Sequence, residues 1–196
     1  SRCGVPVHTY ICMRGGEPSA GVIMLALLLC PESAESCASA RMASFHAPFW
    51  DGAPQGQPSN GQNTFFSYYT KGAGLALYFD LLIRARSNNT RSLDDAFRNL
   101  RKLSWEQPNA SYYLQGRGYT EADVERAVSE APGSDLHTWF EQHVGGTEDP
   151  DYDEAFSWLG LRLVRGERGW SLEEVPNASP AQLLVREGWI SGRSSR

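Results

Sequence analysis

The sequence lacks an excess of basic residues and any closely spaced pair of cysteines. Its 196 residues include 18 Lys and Arg against 23 Asp and Glu, which gives a formal net charge of -5 at pH 7. A nucleic-acid-binding surface needs clustered positive charge, so this balance argues against a nucleic-acid partner. The cysteines form no C-x-x-C pair, which argues against a zinc knuckle, and free thiols are favoured because no disulfide-dense framework is present. The four cysteines are Cys3, Cys12, Cys30 and Cys37.

No apolar run is long enough to cross a bilayer, which takes about 20 residues. The longest run covers residues 22–30. Met13-Arg14 before it and Ala38-Ser39-Ala40 after it are typical of a secretory signal, whereas Glu17 argues against one. Two interpretations stay open. A signal over residues 13–40 would make the protein secreted or periplasmic, and a buried helix would be compatible with a cytoplasmic protein.

Several short motifs predict where helices begin. Ser92-Leu93-Asp94-Asp95 and Thr120-Glu121-Ala122-Asp123 each place a hydroxyl three residues before a carboxylate, the pattern of a capping box. A third helix is predicted to start at Ser134 or Asp135 and to end at Gly145-Gly146, and a fourth over residues 151–159.

A central helix is predicted over residues 67–86, because its apolar side chains leave almost no polar face. Alternation of Leu161 and Leu163 with Arg162 predicts a short strand or extended exit. Glycine and proline are frequent over residues 48–61 and again after Gly145, which predicts loops. The predicted fold class is mainly α, an irregular bundle of about five helices.

The histidines do not form a metal-binding motif. None lies in H-E-x-x-H, in which two histidines one helical turn apart face one zinc ion. His137 and His143 would point about 120° apart on a helix, so they are predicted to be surface or packing residues. Lys71-Gly72-Ala73-Gly74 lacks the spacing of a phosphate-binding loop. The other histidines are His8 and His46.

Residues 43–163 resemble the later part of the catalytic domain of the glycyl aminopeptidase family, thermolysin-like zinc peptidases with an appended PDZ domain. Each matching piece is short, and their order and spacing carry the resemblance. The pieces are Ala43-Ser44-Phe45; Ser67-Tyr68-Tyr69-Thr70-Lys71-Gly72 with Leu77, Asp80 and Leu81; Arg91-Ser92-Leu93-Asp94-Asp95; Gly118-Tyr119-Thr120-Glu121; Gly146-Thr147-Glu148; and Leu159-Gly160-Leu161-Arg162-Leu163.

The resemblance implies that residues 43–165 form the C-terminal helical subdomain of a thermolysin-like peptidase. The implied activity is zinc-dependent removal of small N-terminal residues, Gly or Ala, from peptide substrates. Tyr69, which precedes x-Lys-Gly, would donate its hydroxyl to the oxyanion of the tetrahedral intermediate. Tyr68 is a weaker candidate for that role. The alternative for both is an aromatic pair that packs at a helix N-terminus.

The sequence departs from the family at both ends. Residues 1–42 contain neither H-E-x-x-H nor a downstream glutamate ligand, so zinc is the cofactor of the family but this chain is expected to bind none and to be inactive alone. Residues 176–196 resemble the start of a PDZ domain, through Ala178-Ser179-Pro180-Ala181-Gln182 and Arg186-Glu187-Gly188-Trp189-Ile190. These departures predict a truncated or frameshifted product with loose ends. The alternative function is a non-catalytic helical interaction module.

Overall fold

The computed structural model describes residues 38–50, 68–106, 118–166 and 169–195. In these ranges the protein forms seven α-helices and one two-stranded sheet, and five of the helices have ten residues or more. The mainly α class predicted from the sequence is therefore confirmed. The elements are α1 (Ala40–Trp50), α2 (Tyr68–Arg86), α3 (Leu93–Ser104), α4 (Glu121–Glu130), α5 (His137–Phe140) with the π-helical turn Glu141–Gly145, α6 (Tyr152–Ser157), β1 (Leu161–Gly166), β2 (Gly169–Glu174) and α7 (Pro180–Ser191).

Helix α2 is the centre of the fold, as its sequence predicted. Leu81, Leu82 and Ile83 are consecutive and all buried, so the helix is surrounded at this turn. It packs against α1, α3, α6 and α7. The largest side chains that are fully buried come from α2 and from the α6–β1 region: Leu81, Ile83, Phe156 and Leu159.

The predicted capping boxes are present at α3 and α4. The Ser92 amide donates to Asp95 Oδ2 at 3.0 Å, and the Thr120 amide donates to Asp123 Oδ2 at 2.9 Å. Each bond satisfies a donor that the first helical turn leaves without an intrahelical partner. The predicted start of α6 is also confirmed, since Asp151 Oδ1 accepts from the backbone amide of Glu154.

Replacing Thr120 by Ala is expected to lower the free energy of unfolding by about 1 kcal/mol. The Thr120 hydroxyl accepts from the Asp123 amide and donates to the Asp123 carboxylate, and both bonds would be lost. Urea denaturation measures the effect. Thr138→Ala is the matched control, because Thr138 is exposed and lies outside a capping position. Equal losses in the two variants would contradict a capping role for Thr120.

The short strand predicted near Leu161 is confirmed, and the structure adds a partner strand that the sequence analysis did not predict. β1 and β2 pair antiparallel, with Leu163 opposite Leu172 and Leu161 opposite Glu174. Leu161 is buried against the helical core. The region after Gly145, where frequent glycine and proline predicted loops around the helix at residues 151–159 and the strand near Leu161, also contains strand β2 and helix α7.

The expectation of a loose C-terminal end is wrong. Helix α7 begins at a capping box between Ser179 and Gln182, and its buried Arg186 donates from Nε to the Leu159 carbonyl at 3.0 Å. Beyond the helix, the Arg193 carbonyl accepts from Arg84 of α2 at 2.9 Å. The segment is held because it supplies hydrogen-bond partners to buried polar groups of α2 and of the α6–β1 turn.

Polar groups also join the C-terminal end of α2 to the start of α3. Asp80 accepts from Arg84 Nε and from the Leu93 amide, both at 2.9 Å. Arg84 is buried and also donates to Asn89 Oδ1 at 2.8 Å. These bonds join the C-terminal turns of α2 to the start of α3.

Helix α1 was not predicted. Pro48, expected to open a loop, lies in its last turn, because the helix continues to Trp50. The cysteines, the signal-like run and residues 51–61 lie outside the described ranges. No helix within the described residues is long and apolar enough to cross a bilayer.

Candidate functional site

An apolar cavity of about 510 Å³ lies between α1, α2, α3, α4 and the π-helical turn. Its walls are mainly aliphatic and aromatic, and Leu75, Phe79 and Val128 are typical of them. Phe45 and Phe97 line it and are largely exposed, so the cavity opens to solvent beside them. A concave apolar space of this size is typical of small-molecule sites.

A three-residue ion cluster, formed by Arg41, Glu121 and Glu141, lies at the edge of this cavity. Arg41 Nε donates to Glu121 Oε2 at 2.9 Å, and Arg41 Nη2 donates to Glu141 Oε1 at 3.0 Å. Arg41 and Glu121 both line the cavity. Two carboxylates against one guanidinium leave the cluster with one net negative charge.

The hydrogen bonds in this cluster shift the pKa values of its members. Donation by Arg41 lowers the pKa of Glu121, and the two glutamates raise the pKa of Arg41. Glu121 therefore contributes stability that is present above its unfolded pKa and lost as pH falls through its folded pKa. The side chains of Arg41 and Glu121 are 35% and 40% exposed, so screening by water keeps this contribution small.

The two tyrosines singled out in the sequence are neighbours in the structure but have different surroundings. Their ring centroids are 4.3 Å apart at the start of α2. Tyr68 is half-buried and lines the cavity, whereas Tyr69 is 70% exposed and lies outside the cavity wall. The packing alternative thus suits Tyr68 better than Tyr69. The catalytic role of either tyrosine stays a prediction.

The Lys-Gly pair after these tyrosines has a structural arrangement of its own. Lys71 is buried, and its Nζ donates to the Ala38 carbonyl at 2.6 Å. This bond ties the first turn of α2 to the chain just before α1. Gly72 lines the cavity, and a methyl group added there would meet no described atom within 4 Å.

The two described histidine side chains behave as predicted, as surface or packing residues. His137 Nδ1 lies 2.9 Å from Glu125 Oε1, with 66% of the histidine side chain exposed. The ring of His143 packs on that of Trp139, with the ring centroids 4.5 Å apart, and His143 Nδ1 lies 2.9 Å from the Glu148 carbonyl oxygen. Among the described residues, no group of three or more His, Cys, Asp or Glu side chains could hold a metal ion. These residues therefore do not fit a zinc site.

The pKa of His137 is expected to lie above its ordinary value of 6.5, because the carboxylate of Glu125 stabilises the protonated ring. The pair contributes stability below pH 6.5 that is lost as pH rises through the folded pKa. NMR titration of the ring protons measures the value. Glu125→Gln should return it towards 6.5, while Glu130→Gln, a change at an exposed position of the same helix, should leave it raised. A titration unchanged by Glu125→Gln would contradict this cause.

Comparison of the chain with protein-family models and with curated proteins finds no match. The resemblance to glycyl aminopeptidases therefore stays a prediction that depends on the residues quoted from the sequence.

The sequence alone predicted neither the cavity nor its ion cluster. Glu121 was noted only in a capping motif and in one piece of the family resemblance, and Arg41 and Glu141 were not singled out. Arg41 lies 80 residues from Glu121 and 100 from Glu141. No local pattern brings residues so far apart together, so a structure was needed to find them.

Proposed function

We propose that this chain is a helical part of a zinc-dependent aminopeptidase of the glycyl aminopeptidase family. In this proposal residues 43–165 correspond to the C-terminal helical subdomain of a thermolysin-like catalytic domain. Tyr69 donates its hydroxyl to the oxyanion that forms when a peptide with N-terminal Gly or Ala is cleaved. The chain alone hydrolyses no peptide, because its sequence contains no H-E-x-x-H.

The exposure of Tyr69 carries this proposal. An oxyanion donor must reach a substrate and must be held rigidly, since preorganisation is what makes the hydrogen bond effective. Tyr69 is 70% exposed and belongs to the first turn of α2, the helix around which the core is built. Lys71, two residues later, fixes that turn through its bond to the Ala38 carbonyl.

The proposal assigns no metal ligand to the described residues, because they do not fit a zinc site. In the proposed enzyme zinc supplies the Lewis acid and the activated water. The contribution of this chain is to orient the substrate and to stabilise the developing negative charge.

A chimera tests the proposal. Residues 43–165 replace the matching segment of a complete glycyl aminopeptidase, and hydrolysis of alanyl p-nitroanilide is measured beside the isolated chain. The chimera is expected to be active and the isolated chain inactive. A chimera that folds and retains zinc but hydrolyses no peptide would overturn the assignment.

A non-catalytic interaction module is the second candidate, favoured by large apolar side chains at the surface. Phe45, Phe97, Trp105 and Tyr119 are each about half exposed or more. Such side chains are typical of surfaces that another protein covers. This candidate predicts an inactive chimera and a chain that associates with a partner through these aromatic residues.

A further inference from the structure

We propose that the apolar cavity binds a molecule with an apolar chain and a primary ammonium group at one end. The cavity is distinct from the exposed Tyr69, so this inference does not depend on the proposed function. Its support comes from the shape of the cavity, its apolar lining and the charge at its edge.

The volume and lining define the apolar part of the ligand. About 510 Å³ is enough for an alkyl chain of eight carbons, which occupies roughly half of such a space. Most of the lining residues, such as Leu75, Phe79, Val128 and Val144, offer no hydrogen-bonding side chain; the polar exceptions are Ser44, Tyr68, Arg41 and Glu121. The charged group of a ligand is therefore expected at the edge that carries the ion cluster, because a charge buried without a partner costs free energy.

The ion cluster defines the polar end. Glu121 accepts hydrogen bonds from two nitrogen atoms of Arg41, Nε and Nη2. Glu141 accepts a further bond from Nη2 through one carboxylate oxygen. Glu141 is not part of the cavity lining and is connected to its edge through Arg41; its side chain is 53% exposed and retains the capacity to accept further hydrogen bonds. The net negative charge favours a cation here and disfavours a carboxylate. The other nearby cation, Lys71, is directed at the Ala38 carbonyl and does not line the cavity.

Three ligands of equal chain length test the charge at the edge. Octylamine, octanol and octanoate are titrated into the full chain by calorimetry, and methyl shifts of Val128 and Val144 locate the binding. Octylamine is expected to bind most tightly and octanoate most weakly. Octanoate binding as tightly as octylamine, or absence of binding by all three, would overturn the proposal.

A charge variant separates the ammonium contact from the apolar contact. Glu141→Gln leaves the Arg41–Glu121 pair in place and removes the net charge. It should weaken octylamine binding about fivefold, equivalent to about 1 kcal/mol, and leave octanol binding unchanged. Glu187→Gln on α7, at an exposed carboxylate that belongs neither to the cavity lining nor to the ion cluster, is the matched control and should change neither. Equal weakening of octanol would contradict the charge contact.

A filling variant tests the location. Gly72→Phe adds a ring at a cavity-lining position where an added Cβ meets no described atom within 4 Å, so the backbone there has room to carry a side chain. It should weaken binding of octylamine and octanol by about tenfold or more, whereas Gly72→Ala should leave most of the affinity. Unchanged binding in Gly72→Phe would place the ligand elsewhere and overturn the proposal.

A fourth ligand distinguishes two sources of the ammonium group, the N-terminus of a peptide and an amphiphilic amine. Leucyl-leucinamide presents an N-terminal ammonium beside apolar side chains, as a peptide would. Tighter binding of this compound than of octylamine would identify a peptide as the source, and weaker binding would identify an amphiphilic amine. Loss of Tyr69 function in the chimera would leave these affinities unchanged, so the two proposals can fail separately.

Discussion

Replacing Phe156 by Ala is expected to lower the free energy of unfolding by about 3–5 kcal/mol. Phe156 in α6 is fully buried and belongs to the main hydrophobic core. Its ring also meets Trp189 of α7 edge-on at 6.0 Å. The substitution removes the transfer free energy of the ring and leaves a cavity between α6 and α7, which the surrounding helices fill only in part.

Urea denaturation followed by circular dichroism measures the loss, with Phe97→Ala as the matched control. Phe97 is 58% exposed, so its truncation should cost much less. The tryptophan fluorescence of the Phe156→Ala variant should change at a lower urea concentration than that of the unchanged chain. Similar losses in the two variants would show that α6 and α7 do not pack on the core as described.

The central helix and the capped helix starts were predictable because their signals are local. The consecutive apolar residues Leu81, Leu82 and Ile83 point in directions about 100° apart around the helix, so a fold must cover this turn on most sides. The capping motifs at Ser92 and Thr120 satisfy backbone donors within four residues, independent of the rest of the fold.

The elements that were missed depend on contacts distant in sequence. Helix α7 carries a capping box and a proline at its first turn, Ser179-Pro180-Ala181-Gln182, a local signal that the resemblance to a PDZ domain obscured. Its position was not predictable from such a signal. Gly188 lies against Asn89, about a hundred residues away, where no side chain would fit. Strand β2 is different, because it pairs with the strand that directly precedes it, and this local hairpin was not predicted.

In the candidate site, too, some features follow from the local sequence and others depend on the rest of the fold. A sequence identifies Tyr68 and Tyr69 as neighbours, and adjacent residues on a helix point about 100° apart, so at most one of them faces a given surface. Which one does so depends on the helices packed around α2. The cavity itself is assembled from five segments of the chain, and no one of them carries a pattern that predicts it.

Changing Tyr69 to Phe in the active chimera is expected to lower kcat by about two orders of magnitude. Only a hydroxyl is lost, and it is the group proposed to stabilise charge that develops in the transition state. A loss confined to the transition state lowers kcat and kcat/KM together, with little change in KM. The ring remains at an exposed position, so folding and zinc content should stay unchanged.

Two matched variants make the result specific to Tyr69. Tyr68→Phe removes a hydroxyl from the neighbouring ring, which lines the cavity, and should lower kcat much less. Tyr119→Phe removes one from an equally exposed ring, 64% accessible, and should have no effect. Unchanged turnover in Tyr69→Phe would remove the oxyanion role, and a large loss of stability would support packing instead. A larger loss in Tyr68→Phe than in Tyr69→Phe would move the donor to the cavity wall, because a substrate bound there could reach only the half-buried ring.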